Sequence, residues 1–167
     1  MRYVMKQKVW SFGNNFAIKN EAGADCFLVH GQVFSFGDKL SFCDLAGNEL
    51  VFIQQRVFSW GPTYELHRVG GAPSALVSKH LWTFFKDRFT VDVTSDGPTS
   101  DDLEVQGDFW SLEYQFVREG REVARVSKQW FSWADTFGVD VGEGEDDVLI
   151  LACTVVIDLC IAKKRRD

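Results

Sequence analysis

Three kinds of residue in this chain could in principle do chemistry: scattered histidines, a recurring serine and a knot of acids near the C-terminus. His30, His67 and His80 each stand without a second histidine or a cysteine at ligand spacing, and a zinc site needs about four converging donors. They read as strand or surface histidines, and the alternation with Tyr64 and Leu66 turns His67 toward solvent. Ser11, Ser35, Ser59, Ser111 and Ser132 sit between apolar residues. A nucleophile is one residue served by one base, whereas these serines recur along the chain, so they are expected to fill crowded barrel positions where the chain turns. Asp140, Glu143, Glu145, Asp146 and Asp147 do not follow the alternate-position pattern with a central glycine that a calcium loop requires. They precede a long apolar run and suit the N-terminus of a helix. No nucleophile elbow, phosphate-cradling loop or dinucleotide fingerprint is present. The sequence therefore predicts no catalytic residue, no metal site and no cofactor.

Two features remain as candidate sites. Asp158 lies inside the apolar run 148–162. A buried acid must be paired, neutral or near water, so Asp158 is either bonded at a barrel mouth or lines a residual pocket. Lys163, Lys164, Arg165 and Arg166 follow at once. They complement the helix dipole, and they also suit anionic lipid headgroups, at about 1 kcal/mol per basic residue near such a surface. Four of them bind weakly, so a second contact is expected, from Lys79, Lys86, Arg88 or exposed tryptophans at hairpin ends.

The elements that position these residues follow from repetition. An apolar–Ser/Thr–apolar triplet occurs at Trp10-Ser11-Phe12, Phe34-Ser35-Phe36, Phe58-Ser59-Trp60 and Trp82-Thr83-Phe84, with a constant spacing of 24 residues. Trp110-Ser111-Leu112 and Phe131-Ser132-Trp133 follow less regularly. A second repeat matches Ala75-Leu76-Val77-Ser78-Lys79 to Ala124-Arg125-Val126-Ser127-Lys128, and Phe89–Val93 to Phe137–Val141, at offsets of 49 and 48. Fixed periods of this size mark repeated supersecondary units. Within them the apolar period is two: Tyr64 and Leu66, Phe89, Val91 and Val93, Leu112, Tyr114 and Phe116 alternate with polar residues, as in strands with one buried face. Phe16 and Ile18 do the same. Turn signals at 21–23, 46–48, 70–73 and 119–120 suit hairpins. A unit of this length holds two strands, which gives about twelve strands in all.

The run 148–162 breaks that pattern. It is apolar on every side except Thr154 and Asp158, with acids before it and bases after it, the arrangement a helix dipole favours. At 1.5 Å per residue it is about 22 Å long, short of a hydrocarbon core of about 30 Å, and Asp158 adds roughly 3 kcal/mol to insertion. A helix apolar all round must be buried, and a large barrel can hold one, as the green-fluorescent-protein can does. We expect a mainly β fold: a closed antiparallel barrel of about twelve strands at 1–142, a central helix at 145–163 and a basic tail at 163–167, forming one domain over 1–167. Cys26, Cys43, Cys153 and Cys160 form no C-x-x-C pair and read as free, mostly buried thiols of a reducing compartment.

Together the repeated hairpins, Phe34–Leu40, Asp44–Glu49, Gly107-Asp108-Phe109-Trp110 and Ser127–Trp133 resemble the LURP-one-related proteins across essentially the whole chain. The resemblance implies the tubby-like fold, a twelve-stranded barrel around a C-terminal helix, shared with phospholipid scramblases and the tubby C-terminal domain. Tubby proteins bind phosphoinositides through basic residues on the barrel wall, and scramblase-like proteins are linked to membrane lipids. Fold alone does not carry function. The expectation is a non-enzymatic binding domain, cytoplasmic and peripheral at a membrane, whose partner is anionic phospholipid or phosphoinositide. Alternatives are a protein-interaction module using exposed aromatics, and a small-ligand carrier or enzyme with a pocket near Asp158. Residues 163–167 carry +3 and the remainder −9, so nucleic acid is disfavoured as a partner.

Overall fold

The alternation of apolar and polar residues becomes six consecutive hairpins in the computed structural model, which describes residues 1–7, 15–34, 37–70, 74–80, 87–93, 100–133 and 135–165. The hairpins pair β1 (Arg2–Lys6) with β2 (Phe16–Asn20), β3 (Asp25–Phe34) with β4 (Gly37–Cys43), and β5 (Glu49–Gln55) with β6 (Thr63–Arg68). They continue as β7 (Ala75–His80) with β8 (Arg88–Asp92), β9 (Leu103–Asp108) with β10 (Glu113–Arg118), and β11 (Arg121–Ser127) with β12 (Thr136–Val141). Each strand also pairs antiparallel with the next hairpin, and β1 pairs with β12, so the sheet closes as an up-and-down barrel. Closure satisfies every strand edge.

The longer repeat has a structural meaning. Val77 pairs with Val91 and Ser78 with Thr90 in one hairpin, and Val126 pairs with Val139 and Ser127 with Gly138 in the other. The two hairpins thus share one register, and the one-residue change of offset falls in the connection, where it leaves the pairing untouched.

Helix α1 (Asp147–Lys164) fills the barrel, with every residue from Leu149 to Ile161 buried. The inward strand faces meet it: Ile18, Val29, Phe42, Ile53, Leu66, Val91, Phe116 and Phe137 are buried to 1 % exposure or less. The outward faces carry Lys19, His67, Arg88, Glu104 and Arg125, all exposed, the opposite of the apolar outer band of a membrane barrel. Among the described residues no helix is long and apolar enough to cross a membrane.

The helix starts two residues later than expected and ends one later. Asp146 caps it, its carboxylate accepting the Leu149 N–H at 3.0 Å. Glu145 stays in the preceding turn, its N–H donating to the Gly142 carbonyl at 3.2 Å.

Two glycines from the motifs quoted above have steric reasons. Gly107 has φ +143°, and a Cβ there would lie 2.5 Å from the Glu113 carbonyl oxygen of the paired strand. Gly138 leaves room for Trp130, whose ring would meet an added Cβ at 2.6 Å. All four cysteines are free, and Cys43, Cys153 and Cys160 are buried.

Candidate functional site at the helix C-terminal mouth

In an up-and-down barrel alternate connections fall at alternate ends. The strand ends joined by the connections β1–β2, β3–β4, β5–β6, β7–β8, β9–β10 and β11–β12 lie at the mouth where α1 ends, and the described triplets Phe58-Ser59-Trp60, Trp110-Ser111-Leu112 and Phe131-Ser132-Trp133 fall there. Trp10-Ser11-Phe12, Trp82-Thr83-Phe84 and most of Phe34-Ser35-Phe36 lie outside the described residues. Among the described residues, Phe58, Trp60, Trp110 and Trp133 of these triplets, with Val57 beside them, are five of the eight exposed large apolar side chains.

Ser59 and Ser111, two of the triplet serines among the described residues, brace exposed turns and do not fill crowded barrel positions. Ser59 is exposed, and its hydroxyl donates to the Gly61 carbonyl at 2.5 Å within its own loop. Ser111 is exposed too, and its hydroxyl donates to Asp108 Oδ2 at 2.6 Å. That bond, together with the Ser111 backbone N–H, holds the Asp108 carboxyl below its ordinary pKa. With each serine bonded inside its own turn, the flanking residues are free to diverge. At Phe58-Ser59-Trp60 both aromatics point to solvent, whereas at 110–112 Trp110 is exposed and Leu112 is buried with φ +54°.

The basic residues meet acids at the same mouth. Lys163 is ion-paired with Asp38, which also accepts the Tyr64 hydroxyl at 2.8 Å, and it reaches Gln55 Oε1 at 3.3 Å. Asp38 and Tyr64 are buried, and burial pushes the Tyr64 phenol far above its ordinary pKa. Lys164 lies 3.2 Å from Asp87, with its ammonium 5.3 Å from the Trp110 ring centre. Arg165 donates to the Trp110 carbonyl at 2.6 Å and lies 5.6 Å over the same ring. Arg88 is exposed and pairs with Glu104 at 2.6 Å. Lys79 is buried, 3.4 Å from Asp87 and above the Phe89 ring, which removes it from any surface. Its position in the alternation, in phase with Ala75 and Val77, carried that signal. Asp38, in phase with Leu40 and Phe42, carried the same signal and was missed. Lys86 and Arg166 lie outside the described residues.

Asp158 is buried at 2 % exposure, within the helix. Its nearness adds to burial in raising the Tyr114 phenol well above its ordinary pKa. Burial likewise pushes the Cys160 thiol up to about 12, against the pull of Lys79 and Lys163, so this thiol is not a nucleophile at neutral pH.

The opposite mouth absorbs the acidic knot. Arg68 pairs with Asp146, Arg118 with Glu145 at 2.5 Å and Arg2 with Asp140 at 3.3 Å, while Tyr3 bonds Asp147. An open depression of about 720 Å³, lined by Met1 and residues 142–148, lies there. Among the described residues no group of three or more His, Cys, Asp or Glu could hold a metal ion.

The fold and this mouth together define a class: closed twelve-stranded antiparallel barrels plugged by their own C-terminal helix. The LURP-one-related family model matches residues 1–158, and the chain belongs to that family. It is 33% identical over 157 residues to the uncharacterized protein YxjI of Bacillus subtilis (strain 168), covering 94% of this chain and 91% of that protein. The X-ray structure of an Arabidopsis thaliana protein, AT5G01750, superposes with a TM-score of 0.66 at 18% identity, covering 96% of this chain and 91% of that one. At that identity the likeness speaks for the fold.

Proposed function

We propose that the protein is a non-enzymatic binding domain for a phospholipid membrane surface, with a preference for anionic headgroups, and that it works at the helix C-terminal mouth. One observation carries this reading: Lys164 and Arg165 lie over Trp110 at the mouth that also displays Phe58, Trp60 and Trp133. Aromatic side chains with a cationic neighbour suit the boundary between headgroups and acyl chains. The preference for charge is modest, because Lys163 and Lys164 already have acidic partners and each basic residue near the surface contributes about 1 kcal/mol.

Co-sedimentation with neutral, phosphatidylserine and phosphoinositide vesicles, at low and physiological salt, tests this with and without residues 163–167. Binding that favours anionic vesicles, with the preference reduced by removing the tail, supports the proposal. Equal indifference of both proteins to every vesicle rejects it. The same exposed aromatics favour a protein-interaction module as the second reading; capture of a stoichiometric protein partner that depends on Phe58 and Trp60 would select it.

A further inference from the structure

We infer that the β5–β6 connection is the membrane-contacting prong, burying Phe58 and Trp60 at the headgroup–acyl boundary while the barrel stands end-on with its acidic mouth turned away. The inference rests on the function proposed above and names the element that performs it. Phe58 is 99% and Trp60 97% exposed, so neither ring has a neighbour to shield it from water, and Val57 beside them is 53% exposed. The loop is nonetheless braced. The Arg56 N–H donates to the Thr63 carbonyl at 2.8 Å and closes the neck. Ser59 donates to the Gly61 carbonyl, the Thr63 hydroxyl donates to the same carbonyl at 3.2 Å, and Arg56 is paired with Glu65. A loop held by its own bonds loses little further freedom on docking.

The shape of the prong selects the partner. A stable protein interface takes about 800 Å² from each side, more than three side chains on a convex tip supply, whereas a bilayer accepts a convex tip without a complementary pocket. Charge sets the orientation. At the far mouth Arg118 and Arg68 offset Glu145 and Asp146, while Glu143 and Asp147 add two further acids, and an anionic surface repels that end. Because Arg56 is paired with Glu65 at the prong's base, the attachment is predominantly apolar and only weakly sensitive to salt.

The test uses the full-length protein with neutral phosphatidylcholine vesicles and with phosphatidylserine-containing vesicles, some carrying lipids brominated in the acyl chain. Phe58→Ala/Trp60→Ala is expected to lower partition about tenfold or more onto both vesicle types, with an unchanged circular-dichroism spectrum. Lys164→Ala/Arg165→Ala is expected to lower only the preference for phosphatidylserine. Brominated lipid is expected to quench wild-type fluorescence more than that of Trp60→Phe. If wild type binds vesicles but the prong variant binds equally well and Trp60→Phe is quenched as strongly, the prong assignment is overturned while the membrane function stands. If wild type ignores every vesicle, as a prong built for a protein pocket would, both fall.

Discussion

The two mouths of the barrel are built from the same kind of connection and have become opposites. At the helix N-terminus the acids of β12 and of the segment entering α1 are drawn into bonds with Arg2, Tyr3, Arg68 and Arg118 on the wall. At the helix C-terminus the connections carry aromatic triplets, and several of their rings stand in water. One end only clasps the helix; the other holds it through Lys163, Lys164 and Arg165 and also displays exposed side chains. A barrel fixes its strands by pairing and core packing, so its turns are the parts free to diverge, and here they have diverged by end.

That comparison can be broken most forcefully through the packing beneath the display end. Gly138→Val would drive a side chain into Trp130 and Phe131 and is expected to cost about 3 kcal/mol, read by chemical denaturation. If stability is unchanged, the segment 130–133 is not anchored as described. At the clasping end, Arg118→Ala leaves Glu145 mostly buried without its partner and is expected to cost about 1–2 kcal/mol. By contrast Phe58→Ala/Trp60→Ala should change stability by less than about 0.5 kcal/mol, since both rings are exposed. A larger loss in the denaturation midpoint would mean that the tips hold the fold together and are not simply displayed. The smallest effect concerns Ser111→Ala. The Ser111 hydroxyl is the leading cause of the lowered Asp108 pKa. A lowered carboxyl contributes stability that is present above its ordinary pKa and is lost as pH falls through the lowered value. Removing the hydroxyl should therefore raise the Asp108 titration toward the ordinary carboxylate range and move this loss to higher pH, as an NMR titration of the carboxyl would show.

The strands and the helix were legible because their signals are local. Period-two alternation identified inward residues such as Tyr64, Leu66 and Val91, and an all-round apolar run too short to span a bilayer reads as a buried helix. The 24-residue spacing counted the hairpins. The candidate site was legible in part. Phe58, Trp60 and Trp110 stood out by type and the tail by charge, but the acids that meet the tail are remote in sequence: Lys164 and Asp87 are 77 residues apart. Such pairs are set by how the helix threads the barrel, which no local pattern encodes. Lys79 and Asp38 were a different case. Their phase in the alternation placed them inside, and their charge obscured it. Ser59 and Ser111 were misjudged for a related reason, since a small residue between two large apolar ones suits a crowded wall and an exposed turn equally well.

The plug is the last element of the barrel in chain order, and β12 immediately precedes it. A growing polypeptide therefore completes eleven strands while β1 still lacks the neighbour that will close the ring, and completes all twelve while their inner faces have nothing to pack against. Hydrophobic surface and open strand edges are exposed together until α1 has been synthesised. For this architecture the order of synthesis runs opposite to the order of need, which makes the interval before the helix emerges the most hazardous one in the life of the molecule.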